Sequence, residues 1–213
     1  MTDHQEAPQG TRALMMQIGA RLSDQGANYD VNKDGSMLAL IGEAGCGRCN
    51  GVIAAEIVET DAPMLLVQVS YSLPFDPIDE DRWLAVYELI ALLAPHMTLG
   101  HFEYDHEVEE LRWRAHQLLP PTGPWDNTLL MALPLEGIDV IDSAFEAFDK
   151  VISRGDDANL AVAEMLLAQV DGDPVELFGE EILRMVQTAR RRVEGGDAAL
   201  IDRVSALLVR LTD

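Results

Sequence analysis

The chain has 213 residues, of which 48% are hydrophobic and 24% are charged, a composition that supports a globular core and excludes a largely disordered protein. Its 37 acidic and 15 basic residues give a net charge of −22, and such a field repels nucleic acids and anionic membranes. No segment approaches the roughly 18 consecutive apolar residues of a membrane span, and the polar N-terminus lacks a signal-peptide pattern. We therefore expect a cytoplasmic protein.

The first third of the chain predicts a helix followed by four short strands. After a flexible tail over residues 1–11, apolar spacing predicts a helix from Thr11, its N-cap, to Gln25, with Gly26 as the stop. Short connections between the strands are typical of an antiparallel meander, and Asp34-Gly35 predicts its first hairpin turn. The predicted strands are Tyr29–Val31, Met37–Ile41, Val52–Glu59 and Met64–Leu73.

A helix follows the meander. The acidic residues Asp79 to Asp81 are expected to cap it, because carboxylates stabilise a helix N-terminus. Its apolar stripe continues to about Leu93, and Pro95 is expected to end it.

Residues 99–119 predict a β-hairpin with opposite charges on one face and aromatic side chains on the other. In the register that satisfies both faces, Asp105 lies opposite Arg112 and Glu103 lies opposite Arg114. The other cross-strand pairs of this register are Tyr104 with Trp113 and His101 with His116, and the turn lies near Glu107–Glu110.

The rest of the chain predicts helices. Residues 128–135 fit either a strand or a short helix, because Pro134 weakens a helix. An amphipathic helix then runs from Ile138 to near Gly155, and an all-helical extension follows over residues 156–213. Its predicted helices are Leu160–Val170, Val175–Val193 and Ala198–Leu211.

The order of these elements indicates an α+β fold, an antiparallel sheet flanked by helices with an all-helical C-terminal extension. Over residues 12–155 the chain resembles the YbjN family, whose fold is that of type III secretion chaperones. The resemblance depends on three stretches: DVNKDGSMLALIGE, MLLVQVSYSLPF, and GHFEYDHEVEELRWRAHQLLP with the helix around DSAFEAFDKVISRG.

This resemblance implies a small acidic homodimer that holds extended segments of client proteins against apolar patches. It implies no catalytic residue and no cofactor. We therefore expect a non-enzymatic module that binds a protein or peptide, with neither nucleic acid nor membrane as a partner. Residues 156–213 lie outside the resemblance.

Cys46 and Cys49 form a CxxC motif and are the only cysteines of the chain, a number that fits a reducing compartment. Such a pair can be a redox dithiol or half of a zinc site, but it lies between two predicted strands and not at a helix start. Zinc would need two more ligands, and His101, His106 and His116 are distant in sequence. An incidental pair, a metal site and a redox pair remain open, and a thiol- or metal-dependent regulator is the alternative function.

Four weaker patterns favour structural explanations. The acidic clusters at residues 76–81 and 105–110 are expected to be solvated, with ordinary pKa values. Residues 30–35 match the start of an EF-hand loop, but position 41 is Ile instead of Glu, so a hairpin turn is predicted. Arg190–Arg192 form a basic cluster near a predicted helix C-terminus, where cations are favourable. The facing pair of His101 and His116 is expected to be a solvent-facing strand pair rather than a metal or pH site.

Overall fold

The computed structural model describes residues 9–40, 49–58, 61, 63–75, 77–169, 174–193 and 198–212. These residues form an α+β fold with six α-helices and one six-stranded antiparallel sheet, which confirms the predicted fold class. The helices are α1 (Gln9–Asp24), α2 (Trp83–Leu93), α3 (Asn127–Asp149), α4 (Ala158–Gln169), α5 (Pro174–Val193) and α6 (Ala198–Thr212). The strands are β1 (Tyr29–Val31), β2 (Met37–Leu40), β3 (Asn50–Val58), β4 (Met64–Ser72), β5 (His101–Asp105) and β6 (Glu110–Leu119).

The chain divides into two compact units, each built from segments that are distant in sequence. Unit 1 comprises Met1–Pro77 and Met97–Asp142, and unit 2 comprises Ile78–His96 and Ser143–Asp213. The boundary predicted near residue 155 therefore lies inside unit 2. The physical reason is that α2 packs against α4. The prediction had placed α2 in the α+β domain and α4 in the C-terminal extension.

The sheet belongs to unit 1 and has the strand order β1-β2-β3-β4-β6-β5, with all neighbours antiparallel. This order confirms the predicted meander of four strands. In its first turn, Gly35 has a φ of 80°, and Asp34 Oδ1 accepts hydrogen bonds from the Ser36 N–H at 2.9 Å and the Ser36 hydroxyl at 2.7 Å. Asn32 Oδ1 accepts the Met37 N–H at 3.0 Å. The oxygens of the EF-hand-like pattern thus close a hairpin turn.

The hairpin of β5 and β6 has the predicted faces but a register that differs from the prediction by two residues. Asp105 lies opposite Glu110, and Glu103 lies opposite Arg112. Residues 106–109 form the connection, with Glu109 in the left-handed region at a φ of 57°. Because side chains alternate with a period of two, this shift leaves every side chain on its predicted face.

The register shift also separates the predicted histidine pair. His101 lies opposite Arg114 on β6, whereas His116 lies opposite Gln68 on β4. The prediction of a facing His101–His116 pair is therefore wrong, because the connection covers residues 106–109 instead of 107–110, which shifts the pairing by two residues.

One face of the sheet is buried, in part by the first half of α3. The Tyr71 hydroxyl donates a hydrogen bond to the Pro134 carbonyl at 3.0 Å, and the Tyr71 and Trp113 ring centroids are 6.1 Å apart. A Cβ on Gly137 would lie only 2.5 Å from a Trp113 ring atom and 2.7 Å from a Tyr71 ring atom, so glycine permits this close approach. Residues 128–135 lie within α3, and the strand alternative for them is wrong.

Helix α1 packs on β1, β2 and β3 through its predicted apolar stripe. It begins at Gln9, so residues 9–11 are helical, contrary to the predicted tail, and residues 1–8 lie outside the described part of the chain. Thr11 is fully buried inside the helix and is not its N-cap. The helix ends at Asp24, and Gly26 follows with a φ of 82°, as predicted.

Unit 2 is helical in its described residues. Asp79 precedes a short 3-10 turn that leads into α2 and makes no side-chain capping hydrogen bond, so the predicted carboxylate cap is absent there. A π-helical turn continues α3, and Gly155, with a φ of 75°, ends it as predicted. Helices α4, α5 and α6 confirm the predicted extension. Among the described residues, no helix combines the length and apolarity that a bilayer crossing requires.

Candidate binding surface

The two faces of the sheet differ sharply in burial. On β4, Leu65, Val67, Val69 and Tyr71 are buried, whereas the side chains between them are half-buried or exposed. We call the second face the open face. Its side chains include Met37, Ala39, Val52, Ala54, Leu66, Gln68, Ser70, Ser72, His101, Glu103, Asp105, Arg112, Arg114, His116 and Leu118.

One half of the open face is mainly aliphatic, although the exposed Glu56 lies opposite Leu66 and the exposed Gln68 lies opposite Ala54. Leu66 on β4 lies opposite Leu118 on β6, and Leu118 is 57% exposed. On β2 and β3, Met37 lies opposite Ala54, and the exposed side chain of Val52 lies opposite Ala39. These aliphatic side chains are fixed by the sheet and reach solvent, so they can cover apolar groups of a ligand.

The other half of the open face is charged. Arg112 Nε donates to Glu103 Oε1 at 2.5 Å, and its Nη2 donates to Asp105 Oδ2. Arg114 Nη1 lies 3.3 Å from Glu103 Oε1. The contact of Arg112 with Glu103 joins residues that lie directly opposite each other, and the other two contacts are diagonal. Together they hold both guanidinium groups in fixed positions on the sheet.

Neighbouring charges and hydrogen bonds shift the two carboxyl groups of this cluster. Partial burial opposes ionisation of Glu103, but the hydrogen bond from Arg112 and the charges of Arg114, Arg112 and His101 outweigh it and lower its pKa. The Glu107 N–H and then Arg112 stabilise the Asp105 carboxylate and lower its pKa, although desolvation opposes them. The expectation of ordinary pKa values is therefore wrong for Asp105, because the turn supplies a backbone donor.

The CxxC motif is only partly described. Cys49 directly precedes β3 and is buried, with 2% of its surface exposed, whereas Cys46 lies outside the described residues. Burial in apolar surroundings disfavours the reactive thiolate. The three alternatives for this motif, an incidental pair, a metal site and a redox pair, stay predictions.

The three histidines considered as further ligands lie in different places. His101 is within 3.5 Å of Glu103, and the ring of His106 packs edge-on against Tyr104 with centroids 4.9 Å apart. His116 lies on the neighbouring strand pair, opposite Gln68. Across the part of the chain that the structure describes, no group of three His, Cys, Asp or Glu side chains is arranged to hold a metal ion.

Two ion-pair networks in unit 2 have no local signal in the sequence. In the first, Arg192, the last member of the basic cluster, lies 2.7 Å from Glu88 Oε2 and 3.3 Å from Asp157 Oδ2. The hydrogen bond from Arg192 lowers the Glu88 pKa although burial opposes it. These partners are separated by 104 and 35 residues, so periodicity could not bring them together.

The second network joins α6 to α4 and to the end of α3. Arg203 makes a bidentate contact with Glu164 at 2.7 and 3.0 Å and reaches Asp156 at 2.7 Å. Lys150 Nζ lies 2.9 Å from Glu164 Oε2, the oxygen that also accepts from Arg203 Nη2. Burial raises the Glu164 pKa, but the hydrogen bonds from Arg203 and Lys150 prevail and lower it. These charges satisfy one another, which indicates a structural role.

Comparison of the chain with protein-family models, with curated proteins and with solved structures gives no match. The resemblance of residues 12–155 to the YbjN family therefore stays a prediction. The open face is the feature of the described structure from which a function can be argued.

Proposed function

We propose that the chain is a non-enzymatic protein-binding module that holds an extended segment of a partner protein on the open face of the sheet. The contrast between the two faces of the sheet is the observation that supports this proposal most. One face is buried to form a core, and the other presents exposed aliphatic side chains beside ion-paired arginines. Exposed aliphatic side chains interspersed with polar groups are typical of interaction sites.

The aliphatic half supplies the affinity. Leu118, Val52 and Met37 are 57%, 39% and 36% exposed, so covering them removes only part of each side chain from water. At roughly 25 cal/mol per Å² each contributes about 1 kcal/mol. Ordering a flexible segment costs free energy, so these three contacts alone leave at best a dissociation constant on the order of millimolar.

The charged half supplies orientation. A guanidinium has five N–H donors. Arg112 uses its Nε and Nη2 groups to bind the carboxylates of Glu103 and Asp105, which leaves other donors for the backbone or a side chain of the bound segment. The net charge of −22 attracts cationic segments and speeds their association. We therefore expect the preferred segment to combine aliphatic and basic residues.

The resemblance over residues 12–155 to the secretion-chaperone fold supports the same function by analogy. By that analogy the protein acts as a cytoplasmic homodimer, without a cofactor and without nucleic-acid or membrane partners. Fold analogy alone does not establish function, so the surface has to be tested directly.

The test uses a fluorescent peptide of about 15 residues in which aliphatic and lysine residues alternate, long enough to cross the sheet. A Val52→Thr, Leu118→Ser double variant is expected to weaken its binding about tenfold, because two apolar contacts are lost. Met16→Ser is the matched control, since Met16 is 66% exposed but lies on α1. Equal effects of the double variant and the control, measured by fluorescence anisotropy, would contradict the proposal.

A further inference from the structure

A second exposed apolar surface lies in unit 2, on α2. Leu84 is 80% exposed, more than any other large hydrophobic residue with a described exposure, and Tyr87 is 41% exposed. Ala91 and Pro95 are exposed as well. The spacing of three and then four residues places Leu84, Tyr87 and Ala91 on one side of the helix, and Pro95 follows in the 3-10 turn after it. We call these four side chains the α2 stripe.

The opposite side of α2 is already used by the core. Val86, Leu89 and Leu93 are buried there, and the sequence WLAVYELIALL contains one charged residue, Glu88. A helix that is apolar all round is normally buried all round. The α2 stripe is therefore the side of this helix that is exposed to solvent, most of all at Leu84.

The stripe continues into a groove of about 330 Å³ between α2 and α5. Ala91, Leu92 and Pro95 line one side, and Glu181, Met185 and Thr188 are among the residues on the other. Met185 is 3% exposed and Leu92 is half-buried, which gives the groove an apolar floor with room for a large side chain. A groove between two helices accepts the ridge of a third helix.

The charges around this surface are mainly negative. Unit 2 contains 18 acidic and nine basic residues. Glu80 and Asp81 are exposed and lie in the 3-10 turn directly before α2, four and three residues before Leu84. Arg184 on the groove rim is exposed and lies 3.7 Å from Glu181, so it is paired with an acidic residue of the same rim.

We propose that the α2 stripe and its groove bind a basic amphipathic helix of a partner protein. The apolar side of that helix covers Leu84 and Tyr87 and inserts a side chain against Met185. Its lysine or arginine residues pair with Glu80 and Asp81. This is helix-in-groove recognition, and it is independent of the open face of the sheet.

The test uses three labelled peptides of about 18 residues, long enough to form five helical turns. The first has leucines on one side and lysines on the other, the second has glutamates in place of the lysines, and the third scrambles the first so that no stripe remains. The full-length protein is compared with Leu84→Ala and with Met16→Ala, which truncates an exposed methionine on α1. Circular dichroism and thermal unfolding verify that each variant is folded.

The expected result is that the first peptide binds at least about tenfold more tightly than the other two, and that Leu84→Ala weakens its binding about tenfold. Met16→Ala should leave this binding unchanged. The proposal is overturned if the scrambled peptide binds equally well, because attraction is then purely electrostatic. It is also overturned if Leu84→Ala has no effect on peptide binding. A third outcome overturns it as well: if no peptide binds and Leu84→Ala abolishes self-association of the protein, a second copy of the chain covers the stripe.

Discussion

Gly137 is expected to be essential for the packing of α3 on the sheet, and a Gly137→Ala substitution probes that packing. The new Cβ would lie 2.5 Å from Trp113 Cζ3 and 2.7 Å from Tyr71 Cε2, whereas ordinary contacts are 3.4–4 Å. Both rings are fully buried, and the Tyr71 hydroxyl is held by the Pro134 carbonyl. Relief of the clash therefore requires α3 to move away from the sheet.

The size of the effect follows from three contributions. Overpacking of a core costs about 1–3 kcal/mol, and weakening the Tyr71 hydrogen bond costs about 1 kcal/mol more. Alanine is favoured over glycine inside a helix by about 1 kcal/mol. The net prediction is that Gly137→Ala lowers the free energy of unfolding by about 1–3 kcal/mol.

Urea unfolding followed by circular dichroism and tryptophan fluorescence measures this change. Asp139→Ala, at an exposed position two residues further along α3, is the control and should change the free energy of unfolding by no more than about 0.5 kcal/mol. If Gly137→Ala instead stabilises the protein by the helix-propensity gain of about 1 kcal/mol, the close approach of α3 to the aromatic pair is refuted.

Three further predictions concern the charged networks and the cysteine. Arg203→Met removes the bidentate partner of the half-buried Glu164 and should lower the free energy of unfolding in urea by about 1–3 kcal/mol. Arg184→Met, the control, has a 72% exposed side chain and should lower it by at most about 0.5 kcal/mol. Equal effects of the two variants would contradict a stabilising role of the network. Because the folded pKa values of Glu103 and Asp105 lie below their ordinary values, their ionisation stabilises the fold above about pH 5, and this stability is lost as the pH falls through the folded values. Arg112→Gln should therefore flatten the fall of the unfolding midpoint between about pH 5 and pH 3, and an unchanged pH profile would exclude this linkage. In a Cys46→Ser variant, Cys49 should react with a thiol reagent at least about tenfold more slowly in the native protein than in urea, because it is 2% exposed; rapid native reaction would favour the thiol-dependent alternative.

Local patterns were enough to predict much of the fold. Alternating apolar residues placed β3 and β4, and periodic ones placed the buried residues of α1, because burial on one face imposes these periods on the sequence. The faces of the charged hairpin were predicted correctly for the same reason. Its register was not, since Arg112 can reach Glu103 directly and Asp105 diagonally, and both registers satisfy the charges.

The candidate surfaces depend on contacts that no local pattern encodes. The side of α2 that faces solvent could not be predicted, because WLAVYELIALL offers apolar residues on every side. The grouping of α2 with α4, α5 and α6 follows from long-range packing and ion pairs such as Arg192 with Glu88, separated by 104 residues. Which sheet face stays open likewise depends on where α1 and α3 pack.

Methyl NMR of the full-length protein, titrated with the aliphatic and lysine peptide, tests the central claim most directly. The methyl signals of Leu118, Val52 and Met37 should shift together and saturate with one dissociation constant, while those of Leu65 and Val67 on the buried face stay in place. Shifts confined to Leu84, or no shift at all on the open face while the peptide binds, would contradict the claim that the open face is the binding surface.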